Sequence, residues 1–164
     1  VMAAQSDWNN LLNVYNNVIY HTHEPSDVTD AYLSKGLVLD VHLKMPEKAG
    51  QHYEKSLAFD PAQPLALLRL GELALRRQDW PEAAAHADRG LTHADGARHD
   101  VVAGLHLVRA VALQACADGV AARDAYAAAM SADASWGAEM PSGGVEDYDT
   151  VHEAIRARVA SGRL

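Results

Sequence analysis

Leu65-Ala66-Leu67-Leu68-Arg69-Leu70-Gly71-Glu72-Leu73-Ala74-Leu75, followed by Asp79-Trp80-Pro81-Glu82-Ala83, is the stretch that decides the fold. Steps of three and four put Leu67, Leu70, Gly71 and Ala74 on one face of a helix. Gly71 costs about 1 kcal/mol in helix propensity relative to alanine. That cost is tolerable where the missing side chain lets a second helix pack close. Asp79 is placed to cap that second helix, and Pro81 suits its first turn, where no intrahelical donor is lost. Ala83, Ala87 and Gly90 then keep the facing surface of the second helix small.

The pattern recurs on both sides. Gln5-Ser6-Asp7-Trp8 and Arg77-Gln78-Asp79-Trp80 align at a separation of 72 residues, two units of 36. The preceding unit carries Tyr32 and Gly36, then Ala49, Tyr53, Ser56, Leu57 and Asp60-Pro61. The following unit carries Ala110 and Leu113, then Ala122, Tyr126, Ala129 and Met130. The second-helix alanines Ala49, Ala83 and Ala122 are 34 and 39 residues apart. About five extra residues therefore enter the last interval, and Ala94-Asp95-Gly96-Ala97-Arg98-His99-Asp100 is the expected place, since Gly and Asp favour turns. A fixed period of this length marks a stacked array of helix pairs.

Over roughly residues 7–134 the chain resembles the tetratricopeptide repeat family, whose 34-residue unit is a helix–turn–helix. Leu67, Leu70, Gly71 and Ala74 match the first-helix pattern of the family, and Ala49, Tyr53 and Ser56 match the second-helix pattern closely. The chain departs from it in three places. Asp95 stands where proline is frequent, Lys35 where leucine is usual, and the turn around Lys44-Met45-Pro46 reads as one residue too long. The resemblance implies an all-α fold, a right-handed α-solenoid of antiparallel helix hairpins. Residues 1–25 are then the second helix of a partial repeat, with Asp7, Trp8, Leu11, Tyr15, Val18 and Ile19 in its pattern and Pro25 ending it. Residues 26–134 hold about three hairpins, with Ser26 or Asp27 capping the first helix. Residues 135–164 form a loop and a C-terminal capping helix, read over 145–161 from the stripe Val145, Tyr148, Val151, Ile155 and Val159.

In this family the first helices line a concave groove that holds a peptide or protein. Position by position, that implies Leu33, Leu37 and Asp40 in the first full unit. It implies Leu68, Arg69, Glu72, Leu75 and Arg76 in the second, and Leu107, Val111 and Gln114 in the third. One family branch clamps a terminal carboxylate with Lys, Asn and Arg. Arg69 fits one of those places, but Leu33 and Leu37 occupy the Lys and Asn places, so a chaperone-tail binder is not expected. A salt-bridged, solvated face that pairs Arg69 or Arg76 with Glu72 is the bland reading of the same charges.

Composition narrows the partner. The formal net charge of −8 argues against duplex nucleic acid and anionic membranes, both of which need a basic face. No run of about 18 apolar residues exists, so no transmembrane segment is expected. The start has neither the basic nor the apolar region of a signal peptide. The single cysteine, Cys116, allows no internal disulfide and reads as a small buried hydrophobe. A cytoplasmic protein is expected, with the periplasm compatible. The alanine- and arginine-rich style suits a bacterium of high genomic GC content.

Signals for chemistry are weak. His21, His23 and Glu24 form the only tight cluster among nine histidines, and together they are the basis of a metal-binding alternative. A helix end running into Pro25 does not aim both rings at one point, so polar residues at a helix C-terminus are the plainer account. His42 and His52 sit on facing arms of one hairpin. No phosphate loop, nucleotide fingerprint or nucleophile elbow occurs. A non-enzymatic scaffold without cofactor, binding a protein or peptide, is the expectation. The alternative of another class is a self-assembly module that buries Trp8, Leu12 and Tyr15 of the first helix against another copy.

Overall fold

The computed structural model describes residues 2–116 and 118–133; the expected capping helix over 145–161 lies outside them. Among the described residues every regular element is helical, and neighbouring helices pack on one another. In chain order they are α1 (Met2–His21), α2 (Pro25–Leu37), a π-helical turn (Val38–His42), α3 (Pro46–Phe59), α4 (Pro64–Arg76), α5 (Trp80–Thr92), α6 (His99–Ala115) and α7 (Gly119–Ala132). The chain forms two compact units, Val1–Ala66 and Leu67–Leu164, divided in the first turn of α4.

In the first unit α2 packs against α1 and α3. Proline fixes its own φ and lacks a donor, which suits the first helical position. Pro25 accordingly opens α2, with Glu24 as N-cap and no side-chain capping bond. The cap expected at Ser26 or Asp27 is therefore displaced, and Asp27 instead lies in the first turn, where its charge favours the helix dipole. On α3, Ala49, Tyr53, Ser56 and Leu57 recur at helical spacing and are buried. The Ser56 hydroxyl donates to the Thr29 carbonyl across the α2–α3 pair at 3.1 Å. A Cβ on Gly36 would fall 2.6 Å from Cδ1 of Tyr53 and closer still to Cε1, so only glycine lets these two helices approach so closely.

The surplus residue of this hairpin is not in the turn. From Gly36 to Ala49 is one residue longer than from Gly71 to Ala83. Yet the turns match: Lys44 (φ 55°) and Gln78 (φ 59°) are both left-handed and each directly precedes an N-cap, Met45 and Asp79. The extra residue widens the end of the first helix into the π-helical turn, closed by Leu43 N–H donating to the Val38 carbonyl at 3.0 Å. A helix that must carry one more residue over the same rise does so by adding a backbone step to one turn. Asp40 lies in that turn and is only 2% exposed.

In the second unit α5 packs on α6, and α6 on α7. Glycines again mark the closest approaches. A Cβ on Gly71 would meet Val108 of α6 at 2.9 Å and the Ala83 carbonyl of α5 at 3.7 Å. Gly90 of α5 lies under Leu105, and Gly104 of α6 lies under Leu68 of α4. Helix α4 thus touches both α5 and α6. Asp79 caps α5 by accepting from the Glu82 N–H at 3.2 Å, as its sequence position implies, and Asp118 caps α7 likewise through Ala121. The surplus before the last hairpin goes largely into helix rather than turn. From the small residue at the matching position, α4 starts seven residues back (Pro64 to Gly71) and α6 eleven (His99 to Ala110). Val101 is 3% exposed, so the added turn of α6 is held by burial.

Candidate functional site

The positions expected to line a groove are mostly interior. Leu33, Asp40, Leu68, Arg69, Glu72, Leu75, Leu107 and Val111 are buried; Leu37 and Arg76 are half-buried, and Gln114 is exposed. The leucines serve as core, so a substitution at Leu68 tests folding rather than recognition. The reason is visible within the second unit. Gly104 lets Leu68 sit against the α6 backbone, and a first helix contacted by the next first helix has less surface to present.

Arg69 and Glu72 do pair, at 3.1 Å over one helical turn, but they are 1% and 0% exposed, so the pair is not a solvated face. A buried pair gains strong attraction and bears a large desolvation cost, so its net contribution is small while its rupture is expensive. Arg77 instead forms the exposed partnership, reaching Glu82 at 2.7 Å.

The described histidines lie in separate settings. Among the described residues no three His, Cys, Asp or Glu side chains group to hold a metal. His21 closes α1, while His23 and Glu24 are exposed in the connection to α2. His52 stacks on Tyr32 of α2 and His42 faces α1. The His42 ring stacks on Trp8 of α1, with ring centroids 3.7 Å apart and planes 11° apart. Trp8, Leu11, Leu12, Tyr15 and Ile19 form the half-buried face of α1, leaving Val14 and Val18 exposed on it, with Tyr20 82% exposed. His86 lies 3.5 Å from Glu82, yet burial outweighs that carboxylate and lowers its pKa. His106 is also lowered, by burial and then by Arg109. Cys116 is exposed at the end of α6 rather than buried, because α6 stops at Ala115.

A further cluster escaped the sequence reading. On the α2–α3 hairpin, Tyr32 lies beside both His52 and Phe59. Its centroid is 6.0 Å and 5.9 Å from theirs, with planes within 23° and 20°. Lys35 and Lys55 stand 6.0 Å and 5.8 Å from the Tyr32 centroid. Lys35 donates to the Asn16 side-chain oxygen of α1 at 2.7 Å. Burial, followed by Lys35 and Lys55, lowers the pKa of His52 to about 4. Burial and then Lys55 lower Lys35. The signal was the stripe His52, Lys55, Phe59 on α3 opposite Tyr32 and Lys35 on α2. Each half alone reads as ordinary solvated surface.

Among the described residues no helix is long and apolar enough to cross a membrane. No family model matches the chain, and neither the curated proteins nor the solved structures compared with it give a match.

Proposed function

We propose that the chain is a protein–protein interaction scaffold, a right-handed tetratricopeptide-like α-solenoid of about three hairpins that holds a peptide or protein partner and performs no chemistry on it. One observation supports the reading: a glycine stands at matching positions of successive first helices, Gly36 packed tightly against Tyr53 of its hairpin partner and Gly71 in ordinary contact with α5 and tight contact with Val108 of α6, where Gly104 meets Leu68 of α4 as well. A first helix that packs on its own partner and on the next first helix is what stacking of repeats requires. Partner recognition then rests on what such a framework leaves at the surface. Of the residues the family pattern implies, those are Leu37, Arg76 and Gln114.

The test is co-purification. The folded chain is immobilised, exposed to lysate of its source, and the retained proteins are identified by mass spectrometry with free chain as competitor. Leu37→Glu and Arg76→Glu, each checked for fold by circular dichroism, are run separately. A protein retained by the wild type, displaced by free chain and weakened by either variant supports the scaffold. Retention of nothing that free chain displaces refutes it. A second reading, self-assembly, draws on the exposed Val14, Val18 and Tyr20 of α1. A molar mass that rises with concentration in light scattering, and returns to one chain on Val14→Lys with Val18→Lys, would establish it in place of the first.

A further inference from the structure

We propose that the surface of the α2–α3 hairpin built from Tyr32, Lys35, His52, Lys55 and Phe59 is a docking site for an acidic peptide segment that carries a large apolar side chain beside its carboxylates. The inference rests on the scaffold reading and gives it a partner class and a location within the first unit.

Charge is the first argument. Val1–Ala66 contains four lysines, no arginine and eight carboxylates. In so acidic a unit, neutralised lysines would be the ordinary outcome. Among the described residues, however, neither Lys35 nor Lys55 has a carboxylate partner. Lys35 is bound to the neutral Asn16 amide, and Lys55 is exposed. The two ammonium groups lie 6.0 Å and 5.8 Å from the one Tyr32 centroid, and as like charges they repel, Lys55 disfavouring the charged form of Lys35. Lys48, one turn before His52 on α3 and also exposed, extends the positive stripe. An anion held over this surface removes the repulsion, so it is the complementary charge.

Shape supplies the second argument. Three rings stacked in a row, His52, Tyr32 and Phe59, make an apolar strip, and Phe59 is 50% exposed at its end. Phe59 beside Tyr32 leaves apolar ring surface that an apolar side chain of a bound peptide can cover. From His52 to Phe59 the strip runs about 10 Å along α3. About five residues of extended chain, three of whose side chains face the same way, cover that length and the lysines beside it. Carboxylates two residues apart can meet Lys35 and Lys55 while the next apolar side chain rests on Phe59 and Tyr32. Two or three lysines are too few for a nucleic-acid track, which gains its affinity from many neutralised phosphates. A peptide with a mixed acidic and apolar sequence uses both halves of the site.

The experiment is selection from a random dodecapeptide phage library on the full chain, in parallel with a Lys35→Glu, Lys55→Glu variant. Circular dichroism checks the fold, and Lys55→Glu alone serves if the double variant is unstable. The expected result is enrichment of peptides with two or more Asp or Glu next to Phe, Trp, Tyr or Leu. A synthetic copy of the leading peptide should lose about tenfold in affinity on the charge reversal, from two lost exposed pairs, and should weaken on Phe59→Ala. Enriched peptides that bind the reversed variant equally well overturn this site and leave the scaffold reading standing. No enrichment of any peptide overturns both. Displacement of the leading peptide by an equal concentration of a 12-nucleotide oligothymidine overturns the peptide assignment in favour of a general polyanion site.

Discussion

Gly36→Ala tests the packing that underlies the account. The new methyl group would lie 2.6 Å from Cδ1 and 3.0 Å from Cζ of Tyr53, whose side chain is fully buried. Carbon atoms in contact prefer about 3.5–4.0 Å, so the ring or the helix must move by roughly 1 Å. The ring has no solvent to swing into. Overpacking of this kind costs about 1–3 kcal/mol, and a clash with an immobile ring belongs at the upper end. Alanine regains about 1 kcal/mol of helix propensity. The net loss is about 2 kcal/mol, or a fall in Tm of roughly 4–8 °C for a chain of this size. Urea unfolding followed by circular dichroism measures it. Gly119→Ala is the control, because its nearest neighbour is 4.0 Å away, and it should be neutral or mildly stabilising. Tyr53→Leu should reduce the cost of Gly36→Ala, a coupling that a double-mutant cycle isolates. If Gly36→Ala stabilises the protein as much as Gly119→Ala does, α2 and α3 do not approach as described and the hairpin argument fails.

Other consequences follow from named contacts. Arg69→Met leaves Glu72 charged and buried, and should lower the unfolding free energy by about 3–5 kcal/mol. Arg69→Met with Glu72→Leu should recover part of that loss, and a double variant as unstable as the sum of the singles would contradict the pairing. Asp79→Ala removes the cap of α5 and should cost about 1 kcal/mol in the same assay; no change would show that the bond to Glu82 is not formed in solution. Burial beside Lys35 and Lys55 depresses the folded-state pKa of His52 from 6.5 to about 4. The unfolded chain therefore binds the proton first, so this contribution to stability is present above pH 6.5 and is lost as pH falls towards 4. His52→Gln should flatten the pH dependence of the urea midpoint in that window, and an unchanged slope would refute the assignment.

The helical character of the fold is legible in the sequence because helices announce themselves through spacing. The stripe Leu67, Leu70, Gly71, Ala74 is buried as its periodicity implies, and Asp79 caps α5 where the chain turns. Residue counts alone misplace insertions. They put a surplus residue into the Lys44-Met45-Pro46 turn, whereas the backbone absorbs it in the π-helical turn at Val38–His42. They put the later surplus into the 94–100 segment, whereas burial of Val101 draws most of it into α6. In the first case the turn is already fixed by the left-handed Lys44, so the helix end before it yields instead. The surface was less legible. Family position implied exposure for Leu68, Arg69 and Glu72, yet all three are buried, Leu68 by the approach of α6 at Gly104. The Tyr32 cluster needed α1, α2 and α3 placed side by side before Lys35 and Lys55 could be seen around one ring.

The scaffold reading is tested most directly by calorimetric titration of a purified retained partner into the folded chain at two temperatures. The account requires saturable, stoichiometric binding with a negative heat-capacity change from buried apolar surface, and a partner that is chemically unaltered by mass spectrometry afterwards. Heat that fails to saturate, or a partner returned with a bond cleaved or a group added, would contradict it.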